Sequence, residues 1–197
     1  MNVDDSQVDL ARTMHRIMQL IHRRRIAGET VLTQVGLLLD AFISRHRGEL
    51  TFENFPLPQG SDAALNSYEL YADERTGLTL WLQAIRAGVD SVVHDHGTWA
   101  VIVAIAGQET NRIYSRLDDQ RIADRATLSL PHEVTVSPGR PLVLEQGLFH
   151  SIHTADEPTL QLHLYGCNPD QVEGRMIVEA DSGRLVYLGA ETPRSGG

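Results

Sequence analysis

Cysteine is almost missing from this chain. Cys167 is the single one among 197 residues, which excludes an internal disulfide framework and fits a reducing compartment. Long apolar runs are missing as well: none approaches the roughly 20 residues that span a bilayer. The N-terminus, "MNVDDSQVD", is polar and acidic and lacks the charged lead and apolar stretch of a secretory signal. A cytoplasmic location is expected, with no membrane partner. Positive charge is also in short supply. The formal net charge is −9 and the pI about 5.4, with no basic stripe of the kind that grips phosphates, so no nucleic-acid partner is expected. The only basic cluster, His22-Arg23-Arg24-Arg25, falls at the end of a predicted helix, where cations suit the negative end of the dipole.

What is present is ordinary for a soluble globular chain: 42% hydrophobic and 22% charged residues, enough for one domain with a sizeable core. Leu10, Met14, Ile17, Met18 and Ile21 recur at helical spacing over residues 6–26, with Asp5 or Ser6 as N-cap. Gly28 ends that run. Val31, Val35, Leu38, Leu39, Phe42 and Ile43 then mark a second helix over 29–46. His15, His22 and His46 lie on these helices and read as surface residues. After the turn-rich "FENFPLPQG", short runs of β-formers take over: 78–85, 99–106, 110–116, 133–137, 141–146 and 159–166. Turn residues punctuate them, among them Gly77, Gly88, Gly107, Asp118-Asp119 and Pro138-Gly139. Many short strands with such punctuation predict a β-sandwich or barrel. The expected organisation is a helical region over 1–52 packed on a β-domain over 53–190, followed by a disordered tail over 191–197.

Within "SVVHDHGTWAVIVAIAG" (91–107), His94 and His96 flank one Asp inside a run that otherwise reads as buried strand. Strand residues i and i+2 share a face, so the two imidazoles point one way and Asp95 the other. His-x-His on a strand is a means of presenting two nitrogens to one metal ion. A third candidate follows at His150, which shares a strand face with Ile152, whereas His153 points oppositely; the two histidines exchange roles if the pleat is reversed. In "TLQLHLYGCNPD", Gln161, His163 and Tyr165 alternate with Leu160, Leu162 and Leu164. That strand has one apolar face and one carrying an amide, an imidazole and a phenol. On its own this is either a solvent-facing side or a polar row lining a pocket.

Five residues separate Gly88 from His94, and Gly107 closes the next strand. Later come Gly139, five residues, Glu145-Gln146-Gly147, two residues, and His150. This pair of patterns resembles the two motifs of the cupin superfamily, a double-stranded β-helix or jelly-roll barrel in which three histidines meet at one metal, and the resemblance covers about residues 65–190. Two positions depart from it. Ala100 and Val101 stand where a carboxylate is usual, which leaves a neutral ligand set, and Glu145 stands where Pro is usual. Imidazole ligands alone suit Zn, Fe, Ni or Cu.

"HDH" with "GLFH" and "LHLYG" is similar, more narrowly, to the cysteine dioxygenase type I family of thiol dioxygenases, and "HDHGTW" is closest to its bacterial 3-mercaptopropionate dioxygenase branch. The resemblance implies helices packed on a cupin barrel and Fe(II) held by His94, His96 and His150. It also implies a pocket row in which Gln161 replaces a serine beside His163 and Tyr165. Ala100 occupies the place of the cysteine that cross-links to tyrosine in animal relatives, so no cross-link is expected, and Cys167 is too local to substitute. No arginine stands near Tyr68-Glu69-Leu70, where animal enzymes bind the substrate carboxylate. Arg175 matches the position used by bacterial relatives, with Arg86 and Arg112 as fallbacks. Trp99, just past the ligand strand, is either a core residue or a pocket wall.

The implied reaction adds both atoms of O2 to the sulfur of a small mercapto-carboxylate, giving a sulfinate. 3-Mercaptopropionate leads; mercaptosuccinate and cysteine stay open. The alternatives are a cupin oxygenase on a non-thiol substrate, a metal-binding cupin sensor without turnover, and a zinc hydrolase using Glu145. The sequence carries no signal of oligomeric state.

Overall fold

The computed structural model describes residues 3–24, 28–60, 62–118, 124–179 and 182–188. Two helices come first, α1 (Val3–Arg24) and α2 (Glu29–His46). Asp5 and Ser6 therefore lie inside the first turn of α1 rather than capping it, where an acidic side chain suits the positive end of the dipole. Arg25, Asp119 and the expected tail over 191–197 lie outside the described residues. No helix among those described is long and apolar enough to cross a membrane.

Among the described residues eleven strands follow: β1 (Leu65–Ala72), β2 (Thr79–Ile85), β3 (Val93–His94), β4 (Ala100–Ala106), β5 (Glu109–Tyr114), β6 (His132–Val136), β7 (Leu142–Leu144), β8 (Phe149–Thr154), β9 (Thr159–Tyr165), β10 (Arg175–Val178) and β11 (Leu185–Leu188). They form two sheets, ordered β1-β2-β9-β4-β7 and β11-β10-β3-β8-β5-β6, with every pairing antiparallel. Strands consecutive in sequence repeatedly cross between sheets, as β3 to β4 and β8 to β9 do. This is a jelly-roll barrel, mainly β with two helices at its N-terminus.

The first sheet is buried on both sides. Its outer face carries Leu80, Leu82 and Ala84 of β2, Val101, Val103 and Ile105 of β4, and Leu160, Leu162 and Leu164 of β9. These pack with Met14, Ile17, Leu32, Val35, Leu39, Phe42 and Ile43 of the helices. Each fully buried large aliphatic side chain contributes about 1.5–3 kcal/mol, so this layer holds the helices on the barrel. Gly36 permits the approach: a Cβ there would lie 2.9 Å from Pro141 Cβ. His46, read from sequence as a surface residue, is only 4% exposed. Its ring meets the Asp9 carboxylate of α1 at 2.9 Å, which ties the two helices together.

The inner face of the same sheet presents Ala100, Ile102 and Ala104 of β4, Leu142 and Leu144 of β7, and Tyr165 of β9, packed with Val136 of β6. The small alanines on β4 leave room in the barrel. The polar row of β9 faces inward at this level, opposite β5 and β8 of the second sheet.

Candidate metal centre

His94 ends β3, and its Cα partners are Ile177 on β10 and His150 on β8. This register sets His94 and His150 side by side. His96 lies beyond the two-residue strand, so its alignment with His94 does not come from a continuous pleat. The backbone turns instead at Gly97, whose φ of +66° lies in the left-handed region. A Cβ there would approach Val172 Cγ1 to 2.4 Å, so glycine is the residue that this turn accepts. The Gln146 side chain donates to the Gly97 carbonyl at 3.1 Å and fastens the β7–β8 turn to the loop.

The structure brings His94, His96 and His150 together, their ligand nitrogens all within 4.8 Å of one another. Ring centroids are 5.2 Å apart for His94–His96, 4.6 Å for His94–His150 and 4.8 Å for His96–His150. His94 is partly exposed, and the other two are buried. His150 Nδ1 donates to Asn111 Oδ1 at 2.7 Å and His94 Nδ1 to the Val92 carbonyl at 3.0 Å. With both Nδ1 atoms engaged as donors, the Nε2 lone pairs of His94 and His150 are directed inward, and the Nε2 atoms of His96 and His150 lie 3.2 Å apart. Such converging lone pairs repel unless a cation or proton lies between them.

Protons are disfavoured here. Burial lowers the basicity of all three rings. His150 and His96 are driven furthest, the first also by its neighbouring imidazoles and the second by His94, His163 and Arg175. Neutral imidazoles with inward lone pairs are the form that binds a metal ion, so the donor set fits one. Among the described residues no carboxylate joins the cluster. Ala100 presents only a methyl group to the barrel interior, and Glu145 is exposed on a turn.

Tyr165 reaches the centre from β9. Its ring lies 5.0 Å from that of His96 and 5.6 Å from Trp81, and its hydroxyl is 3.1 Å from His163 Nδ1. Burial raises the phenol's pKa, so it stays a hydrogen-bond donor, while burial pushes His163 down to about 3. Neutral His163 can accept the Tyr165 proton at Nδ1 or hold the phenol oxygen by donating to it. Its Nε2 is buried and has no partner.

Gln161 does not extend this pair. Its Nε2 donates to Thr159 Oγ1 at 3.1 Å, and its amide lies beside the Glu109 carboxyl of β5. The row on β9 is thus divided. His163 and Tyr165 serve the histidine cluster, and Gln161 belongs to a polar group at Glu109.

Arg175 opens β10 with its side chain 16% exposed. Its charge bears on His94, His96 and Tyr165, depressing all three proton affinities. Nη1 donates to the Pro169 carbonyl at 3.0 Å and lies 3.6 Å from Asp170 Oδ1, while Nε is buried without a partner. The fallback arginines are engaged elsewhere: Arg86 donates to the carbonyls of Pro58 and Gly60, and Arg112 pairs with Glu133 at 3.0 Å.

Trp99 is not brought to the cluster. Ala100 faces inward, so Trp99 faces outward, packs with the helix-side core and lines a cleft of about 420 Å³ with His15, Met18 and Arg75. His153 pairs with Asp90 at 3.0 Å on the outside. The Cys167 thiol packs against Gly77.

Sequence reasoning missed Glu109 and Asn111, both fully buried and inward-facing on β5. Their i, i+2 spacing was visible, but their burial was not. It also assigned no partner to Asp95, whose carboxylate accepts the Met176 backbone N–H at 2.6 Å.

No family model matches the chain, and no curated protein matches it in sequence. Among solved structures it is similar to the DMSP lyase DddQ of Ruegeria pomeroyi DSS-3, at 18% identity and a TM-score of 0.40 over 58% of this chain and 53% of the lyase. It is also similar to the cupin_2 domain of an XRE family transcriptional regulator from Enterobacter cloacae, at 16% and 0.37 over 52% and 96%. A third is the oxalate decarboxylase of Lactobacillus farciminis, at 15% and 0.42 over 57% and 31%. The chain spans about half the length of the lyase and a third of the decarboxylase. At these identities and TM-scores the likeness says nothing of activity, and the barrel stands on its own strand order.

Proposed function

We propose that this protein is a mononuclear non-heme Fe(II) thiol dioxygenase, adding both atoms of O2 to the sulfur of a small mercapto-carboxylate. One observation carries the reading: a neutral three-imidazole cluster shares its surroundings with a buried phenol and a half-buried guanidinium whose buried Nε has no partner. A site for metal alone needs neither of the last two.

His94, His96 and His150 would hold the metal. Ferrous iron, when bound, supplies positive charge that favours the thiolate and the redox capacity that O2 chemistry requires. The remaining roles belong to the chain. Arg175 offers a planar fork with a free Nε–H to the substrate carboxylate, which fixes the thiol relative to the histidines. The buried Tyr165 hydroxyl, kept protonated, donates a hydrogen bond to developing negative charge on oxygen. His163 orients that hydroxyl. The apolar walls of Ile102, Leu142 and Leu144 limit water.

The overall reaction balances without a further reductant. RSH and O2 give RSO2H; two S–O bonds form, the O–O bond breaks, and sulfur supplies the four electrons that dioxygen takes up. 3-Mercaptopropionate is the leading substrate, with mercaptosuccinate and cysteine next.

The test is anaerobic loading with Fe(II), then oxygen uptake across a panel of small thiols with mass analysis of the products. Uptake matched by a product heavier by two oxygen atoms is expected. Iron bound without thiol-dependent uptake refutes the assignment.

A further inference from the structure

The cupin acid position is empty of acid, yet a carboxyl group lies behind the metal cluster. Glu109, fully buried on β5, accepts a hydrogen bond from Asn111 Nδ2 at 2.8 Å through Oε1. Asn111, also fully buried, uses its other end, Oδ1, to accept His150 Nδ1–H at 2.7 Å. An amide has one donor end and one acceptor end. Anchoring the donor end on a carboxyl group therefore leaves only the acceptor end for His150. His150 then carries its proton on Nδ1, and Nε2 is left as a lone pair facing His96 and His94. Without Glu109 the Asn111 amide could turn over and present its NH2 to His150, which would select the wrong tautomer.

We infer that Glu109 and Asn111 are positioning residues of the metal centre, a carboxyl–amide relay from β5 that fixes the tautomer and orientation of His150. The inference rests on the metal reading of the three histidines. The group is energetically expensive, which argues against a merely structural role. Burial pushes the Glu109 carboxyl up to about 7, even though the Asn111 and Gln161 side chains beside it act to lower it. An apolar pair at these positions would avoid that cost. Partners of this kind behind a metal-binding histidine raise its basicity and set its ring.

The test is Co(II) binding to the metal-free full chain, read by competition with a coloured chelator and by the visible absorption of the bound ion. Asn111→Leu removes the acceptor at similar bulk and is expected to weaken Co(II) by about 10- to 100-fold and alter the absorption envelope. Asn111→Thr, too short to reach His150, carries the same expectation if the leucine variant melts early. Glu109→Leu shifts affinity in the same direction, while Glu109→Gln keeps an oxygen for Asn111 Nδ2 and stays within about threefold of the parent. Thermal melts of the metal-free variants report folding separately. Parent-like affinity and spectrum in folded Asn111 and Glu109→Leu variants would overturn the relay and leave the metal reading intact. A parent that binds no Co(II), or binding that survives replacement of all three histidines by alanine, overturns both.

Discussion

Asp95 and Met176 are joined twice. The Asp95 carboxylate accepts the Met176 backbone N–H at 2.6 Å, and the Asp95 backbone N–H donates to the Met176 carbonyl at 3.0 Å. The aspartate between two clustered histidines thus clasps β10 one residue past Arg175, with which that strand begins. It sets the distance between the imidazole cluster and the guanidinium. Asp95→Ala leaves a Met176 N–H unpaired, at a cost of about 1–3 kcal/mol, and loosens Arg175. The expected outcome is a KM for mercapto-carboxylates raised more than kcat is lowered, with Asp95→Asn closer to the parent. Steady-state oxygen uptake and a thermal melt check this.

Arg175→Gln keeps polarity and removes the charge. Loss of a charge-assisted pair costs about 1.5–3 kcal/mol, so KM for 3-mercaptopropionate should rise by about 10- to 100-fold. Cysteamine, a thiol without a carboxylate, should be used equally by parent and variant. An equal loss on both thiols would remove Arg175 from carboxylate binding.

Tyr165→Phe deletes a donor and leaves the three imidazoles in place. Metal affinity should hold, while kcat for oxygen uptake falls by about 100-fold, the usual scale for one donor aimed at developing charge. A drop in metal content alongside activity would make the phenol part of the binding set instead.

Stability should depend on pH through Glu109 in a defined sense. Its carboxyl is raised from 4.5 to about 7 by burial. Between those values the folded chain holds a proton that the unfolded chain has released. This group's contribution therefore declines as pH rises through the window, by at most about 1.4 kcal/mol per pH unit. It is complete below 4.5 and lost above about 7. The buried imidazoles, lowered from their usual range, act oppositely on acidification. The readout is accordingly parent minus Glu109→Gln, measured on metal-free protein by denaturant unfolding across pH. That difference should slope downward only inside the window; a flat line would mean Glu109 does not titrate there.

Gly97→Ala places a methyl group 2.4 Å from Val172 Cγ1 at a φ of +66°. The strain, about 1–3 kcal/mol, falls on the residue next to His96. Both the melting temperature and Co(II) affinity should drop, whereas Gly139→Ala, which meets nothing within 4 Å, should lower only the first.

Much of this architecture was legible in the residues. β2, β4 and β9 announce themselves by β-branched and alternating runs, and the three histidines by their spacing from punctuating glycines. β1 was missed because "LNSYELYA" is an edge strand with mixed polarity, whereas the strand expected through both His94 and His96 ends at His94 because the chain turns at Gly97. Trp99 was left between core and pocket wall, because on β4 both alternating sets are buried from Ala100 to Ile105 and polarity cannot say which set faces the pocket. Gln161 was placed in one pocket row with His163 because they share a strand face, and whether it reaches His163 could not be read. Its amide turns instead toward Glu109, a neighbour that only the closing of the barrel supplies.

Along β9, all seven residues from Thr159 to Tyr165 are buried, yet they answer to two different neighbours. Even-numbered leucines hold the helices, and odd-numbered side chains face the barrel interior. Cohesion and polar character are interleaved on one backbone rather than assigned to separate segments. Replacing an odd-numbered residue can reshape the interior while the scaffold persists. Inserting or deleting one residue would exchange the two sets, driving the imidazole and phenol among the helices and the leucines toward the metal ligands. Divergence along this strand must therefore proceed by replacement at constant length.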